Sequence, residues 1–167
     1  MQFLVDENIG LIGQGVDLIA SLHPDVYRRN EHAHFSSGVG RHFRHVLDFY
    51  ERMLMGRDSV IDYESRHRDE RIELDPDYAT RIARTICGAL GEIDAPSPVR
   101  VRTECRDGDG IAVEADSTVE RELAMLASHT IHHYAIIALI LRIQDASVPE
   151  EFGVAPSTLR YLASRES

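Results

Sequence analysis

Apolar side chains recur at three- and four-residue steps in four stretches of the chain, separated by polar or Gly- and Pro-containing segments. That period places them on one face of a helix. The first stretch, Glu7 to Leu22, carries Ile9, Ile12, Val16, Ile19 and Leu22, and His23-Pro24 stops it. The second, Gly38 to Met55, carries Phe43, Val46, Leu47, Tyr50, Met53 and Leu54, with Gly56 as its stop. The third opens at Asp75-Pro76, carries Tyr78, Ile82, Thr85, Ile86 and Leu90, and ends near Gly91. The fourth follows Ser117-Thr118-Val119-Glu120, read as a capping box, with Leu123, Leu126, Thr130, His133, Ile137 and Ile140 along one side. Ala135 to Leu141 is apolar almost all round, so this helix is expected to be central.

The intervening segments read differently. Pro24 to Ser37 is polar and without period, hence a loop. Arg57 to Glu73 is a charged connection with one extended stretch. Val99, Val101 and Thr103 alternate with charged residues, Asp107-Gly108-Asp109-Gly110 is turn chemistry, and Ile111, Val113 and Ala115 alternate again. That pattern is a β-hairpin. The tail runs from Asp145 onward and contains Phe152 to Thr158. There is no internal repeat and no linker, so residues 1–167 are read as one domain, long enough to bury a sizeable core.

Charge narrows the function classes. Asp and Glu number 28 against 18 basic residues, a formal net charge of -10, which disfavours a surface that tracks phosphates. Every basic residue is Arg, so a Schiff-base lysine and a P-loop lysine are excluded. Cys87 and Cys105 form neither a CxxC nor a disulfide framework; Cys87 reads as a small buried residue and Cys105 falls at the hairpin turn. Without a signal peptide or an apolar run near 18 residues, the expectation is a cytoplasmic protein that binds neither membrane nor nucleic acid.

Nine histidines are many for this length, and their placement matters more than their number. His129 and His133 stand four apart in the fourth helix, which stacks the imidazoles on one face about 6 Å apart at Cβ. One metal ion can bridge such a pair, and so can ordinary packing. His132 points about 100° round the helix from His133. His42 and His45 on the second helix offer a third ligand from a facing element. No Glu lies between His129 and His133, which excludes the HExxH protease arrangement.

Ser37-Gly38-Val39-Gly40-Arg41-His42-Phe43-Arg44-His45-Val46-Leu47-Asp48 resembles the second-helix motif of the DinB/YfiT-like superfamily. His129-Thr130-Ile131-His132-His133-Tyr134-Ala135 resembles that superfamily's HxxxH on the fourth helix. Tyr63 to Asp69 and Phe152 to Tyr161 are similar to members as well, so the likeness covers most of the chain in the expected order. It implies an all-α four-helix bundle, here with a small β-hairpin between helices 3 and 4. It also implies a divalent metal held by His45, His129 and His133, with His42 one turn away as ligand or as support. Pairing of helix faces in that superfamily implies a homodimer.

Three neutral His ligands leave coordination positions open, which leans towards catalysis rather than structure. Imidazole suits zinc, nickel, iron or manganese, so ligand type does not choose among them. The superfamily's thiol-dependent S-transferases imply transfer involving a low-molecular-weight thiol and a small-molecule substrate. A metal-dependent hydrolase and a non-catalytic metal- or ligand-binding bundle are the alternatives. Supporting roles follow from position. Asp48, three residues after His45, can accept an imidazole N–H or face solvent. Glu122, two turns before His129, can act as a base or stabilise the helix N-terminus. Arg66 and Arg68 can clamp a substrate carboxylate or make surface ion pairs.

Overall fold

The computed structural model describes residues 1–65, 67–104 and 112–165. Among them are seven helices and a small sheet, in the order α1 (Gln2–Ser21), α2 (Pro24–Arg28), α3 (Val39–Gly56), β1 (Val60–Asp62), α4 (Glu70–Leu74), α5 (Pro76–Gly91), β2 (Pro98–Glu104), β3 (Ala112–Thr118), α6 (Val119–Ile143) and α7 (Pro156–Ala163). The protein is mostly helical. The long helices pack in alternating pairs: α1 and α3 each lie against both α5 and α6.

Side-chain period explains which face each helix turns inward. On α3 the buried residues include Phe43, Val46, Leu47, Tyr50 and Met53, the expected stripe. On α1 the stripe is rotated: Val5, Leu11, Ile12, Leu18 and Ile19 are buried, and Ile9 and Val16 only partly. On α5 the same rotation buries Ala79, Ala83, Ile86 and Leu90 and leaves Thr85 exposed. The small alanines let α5 approach its neighbours closely, a signal that apolar period alone underweights. α6 buries Leu123, Leu126, Thr130, Ile137, Ile140 and Leu141, yet Ala135 and Leu139 are exposed, so one flank of this helix faces outward. By length and composition alone α6 would suit a membrane crossing. Here its inward face contributes Leu123, Leu126, Ile137, Ile140 and Leu141 to the packed core, against α1 and α3.

Several local expectations change. Pro24 opens the short α2, where its missing N–H costs nothing, and the ring of His23 caps it. Asp69 caps α4, and Asp75 caps α5. The fourth long helix is capped by Thr118, whose hydroxyl accepts from the Arg121 N–H at 3.2 Å, so the capping box starting at Ser117 is not formed. The hairpin is one part of a three-stranded sheet: β2 pairs antiparallel with β3, and β1 pairs parallel with β2, Ile61 opposite Val101. The expected hairpin turn and Cys105 lie outside the described residues. The tail folds back as α7, and Phe152 enters the core.

Two polar arrangements fix how the helices meet. The Tyr50 hydroxyl donates to Asn8 Oδ1 at 2.7 Å and lies 3.1 Å from Thr130 Oγ1, while Asn8 Nδ2 donates to the Leu4 and Leu123 carbonyls. Every member is buried and paired, so this network joins α1, α3 and α6 in one register. The second joins α4 to α3: Arg44 bridges Glu73 and Asp48, and Arg41 reaches Glu73.

Candidate metal centre

The site forms where α3 crosses α6. Gly40 lets α4 press against the start of α3, since a Cβ there would stand 2.2 Å from the Glu73 carbonyl oxygen. That contact and the Arg44 bridge set the register of α3 and turn His42, His45 and Phe49 towards α6. On α6, Thr130 is anchored in the core by Tyr50, which holds the turn carrying His129 and His133.

His45, His129 and His133 converge: one ring nitrogen from each lies within 4.8 Å of the others, and all three residues are half-buried. The Nε2 atoms of His45 and His129 are 3.1 Å apart. Two nitrogens bound at 2.0–2.1 Å to one tetrahedral ion would stand about 3.3 Å apart, so the spacing fits. This three-histidine cluster can therefore hold a metal ion. Its donor set, three neutral imidazoles without thiolate or carboxylate, matches borderline divalent metals.

Electrostatics keep the His133 imidazole ready to coordinate. Burial, and then the neighbouring His129, His45, His42 and His132, push the His133 pKa down to about 3. Burial first, and then His132, lowers that of His42. Neutral rings near pH 7 are the form that binds a metal.

Around the nitrogens stands an aromatic wall. The Phe49 ring lies 4.3 Å from that of His129 and 4.9 Å from that of His45, and it stacks on Tyr63 at 5.0 Å. The Tyr63 hydroxyl donates to Glu122 Oε2 at 2.8 Å, and Ser117 Oγ donates to Oε1 at 2.6 Å. Glu122 is thus a buried carboxylate in the first turn of α6, tied to Phe49 through Tyr63. Both of its oxygens accept from side-chain hydroxyls of other elements. Burial and then Glu122 raise the Tyr63 pKa far above its ordinary value, so the phenol stays protonated. On the outer side of α6 an open depression of about 690 Å³ reaches His129, lined by Arg121, Ala124, Met125, Ser128 and His132.

The remaining candidates distribute as follows. His42 lies beside His133 without joining the convergent group. Asp48 is buried with its carboxylate 2.9 Å from Arg44. Arg68 is exposed, with φ at 54°, and forms no ion pair among the described residues. Arg66 lies outside the described residues. Cys87 is half-buried rather than buried. Phe49, Tyr63 and Ser117 complete the surroundings, and none of the three is a site candidate by sequence. Phe49 follows His45 by four, the spacing that stacks neighbours on a helix, and that signal was available.

The C-terminal tail also braces the site. Phe152 stacks on Tyr134 at 4.4 Å, and Gly153, at φ 74°, packs its backbone against Tyr134 and Ala135, one turn of α6 beside His133. A Cβ at Gly153 would stand 2.3 Å from the Ala135 nitrogen.

No protein-family model matches the chain, and no solved structure matches it. The chain is similar to a protein of Rhizopus delemar called FK506-binding protein 5, 30% identical over 158 residues. Those residues cover 92% of this chain and 37% of that protein, so the chain spans little more than a third of the length of the curated relative it matches.

Proposed function

We propose that this protein is a metal-dependent enzyme of the thiol-dependent S-transferase type, built as a DinB/YfiT-like four-helix bundle from α1, α3, α5 and α6. The observation that carries the reading is the convergence of His45, His129 and His133 from two helices onto one point. These residues would hold zinc, nickel, iron or manganese. When bound, such an ion supplies Lewis acidity that favours the thiolate form of a small thiol. The chain's own residues supply the rest. His133 stays unprotonated near neutral pH, and the ring nitrogens of His45, His129 and His133 would supply the lone pairs. Phe49 gives an apolar, aromatic face beside them, suited to a small electrophile rather than to a hydrated ion. The depression along α6 gives access, with the exposed Arg121 at its edge. A net charge of -10 favours small-molecule substrates over nucleic acid.

The test is thioether formation between a low-molecular-weight thiol and 1-chloro-2,4-dinitrobenzene. The new S–C bond forms as chloride leaves and the thiol proton passes to solvent. Metal-loaded wild type should accelerate it well above the rate with free metal, and His129→Ala should not. No acceleration with any of several small thiols, in protein shown to contain metal, would refute the transferase reading while leaving the metal site standing.

A further inference from the structure

His42 stands outside the convergent group, against His133. Its Nδ1 lies 2.9 Å from Nδ1 of His133, with the rings 5.2 Å apart and tilted by 41°. Because His42 lies outside the group that can share an ion, this pair meets as a hydrogen bond, one nitrogen carrying the proton and the other the lone pair. The Nδ1 of His133 is therefore committed to His42, and only its Nε2 remains for an ion. A neutral imidazole that binds through Nε2 keeps its proton on Nδ1. His133 is then the donor, and His42 Nδ1 the acceptor. That arrangement requires His42 to carry its own proton on Nε2.

We infer that His42 is a positioning residue of the metal site, accepting the Nδ1 proton of His133 so that His133 presents Nε2 to the ion. This rests on the metal reading of His45, His129 and His133. Ligating histidines commonly donate their second nitrogen to a partner, and loss of the partner lowers metal affinity by roughly 10- to 100-fold. The partner is usually a carboxylate or a carbonyl. Here it is a neutral ring, which orients His133 without adding negative charge to the site.

The experiment is zinc affinity by chelator competition for wild type, His42→Ala, His42→Asn and His45→Ala, each checked for helical content by circular dichroism. Cobalt absorption spectra and nitrogen NMR of the histidine rings in zinc-loaded protein accompany it. Wild type should bind one zinc. His42→Ala should still bind one, about 10- to 100-fold more weakly. Its cobalt spectrum should match the wild type's. His42→Asn, whose side-chain oxygen can accept near the place of Nδ1, should recover most of the loss. NMR should find His133 protonated at Nδ1 and metal-bound at Nε2. Loss of stoichiometric binding in His42→Ala, as in His45→Ala, would make His42 a ligand and overturn the inference. So would unchanged affinity in His42→Ala, or metal found on Nδ1 of His133. A wild type that takes up no ion would overturn the metal reading and this inference with it. A binding wild type with any of those other results overturns this inference alone.

Discussion

Replacing Gly40 by Ala tests how the sequence positions the histidine-bearing face of α3. A Cβ at this position would lie 2.2 Å from the Glu73 carbonyl oxygen, 2.9 Å from its carbon and 2.9 Å from the Tyr27 ring. To reach ordinary contact near 3.4 Å, α4 must withdraw by about 1.2 Å. It is not free to do so. The Tyr27 hydroxyl donates to the Ile72 carbonyl at 2.6 Å, and Arg44 holds Glu73 from α3. Overpacking of this kind costs about 1–3 kcal/mol, and a lost buried hydrogen bond adds about 1 kcal/mol. Better helix propensity returns at most about 1 kcal/mol. The net expectation is a loss of about 1–3 kcal/mol. For a chain of this size that is a drop in Tm of roughly 3–10 °C. Gly88→Ala is the matched control: it lies inside α5 with nothing within 4 Å of the added carbon. There the same substitution should stabilise by about 0.5–1 kcal/mol. Urea unfolding followed by circular dichroism measures both. A Gly40→Ala protein as stable as wild type would refute the claim that close approach of α4 sets the register of α3.

Tyr63→Phe removes one of the hydroxyl donors to the buried Glu122 carboxylate while keeping the stack on Phe49, and should cost about 1.5–3 kcal/mol in the same unfolding assay. A cost below 0.5 kcal/mol, on the order of a neutral surface change, would show that water replaces the donor. The pH dependence of the metal-free protein has a definite sign. His133 titrates near 3 when folded against about 6.5 unfolded, so the unfolded chain binds the extra proton and stability falls as pH drops from about 6.5 towards 3. His133→Gln should move the acid transition to lower pH in a circular dichroism titration, and an unmoved transition would contradict the assignment.

The long helices were legible because each carries a full apolar stripe over several turns, as Phe43 to Met53 does on α3. Their exact faces were less so, because Ala79 and Ala83, which carry little apolar signal, are buried while Ile82 is only partly so. The short α2 and α4, of five residues each, lack the length for a period, although Pro24 and the capping Asp69 marked their starts. The parallel pairing of β1 with β2 joins residues 40 apart, which no local pattern encodes. At the site, the spacing of His129 and His133 was readable from the sequence, while spacing left His42 and His45 open and only the family resemblance pointed to His45; the ring nitrogens of His45, His129 and His133 converge. The role of Glu122 was open because its partners, Tyr63 and Ser117, lie on other elements. The separation of His42 from the group depends on the helix crossing, which sequence spacing cannot supply.

The most direct test of the account is metal content by plasma mass spectrometry on untagged protein. It should be run on wild type, His45→Ala, His129→Ala, His133→Ala and the exposed His132→Ala after incubation with zinc, nickel or manganese. About one ion per chain in wild type and His132→Ala, lost in the other three, is the predicted result. A wild type without metal under all three conditions, or one that keeps its ion when His45 and His129 are replaced, would contradict it.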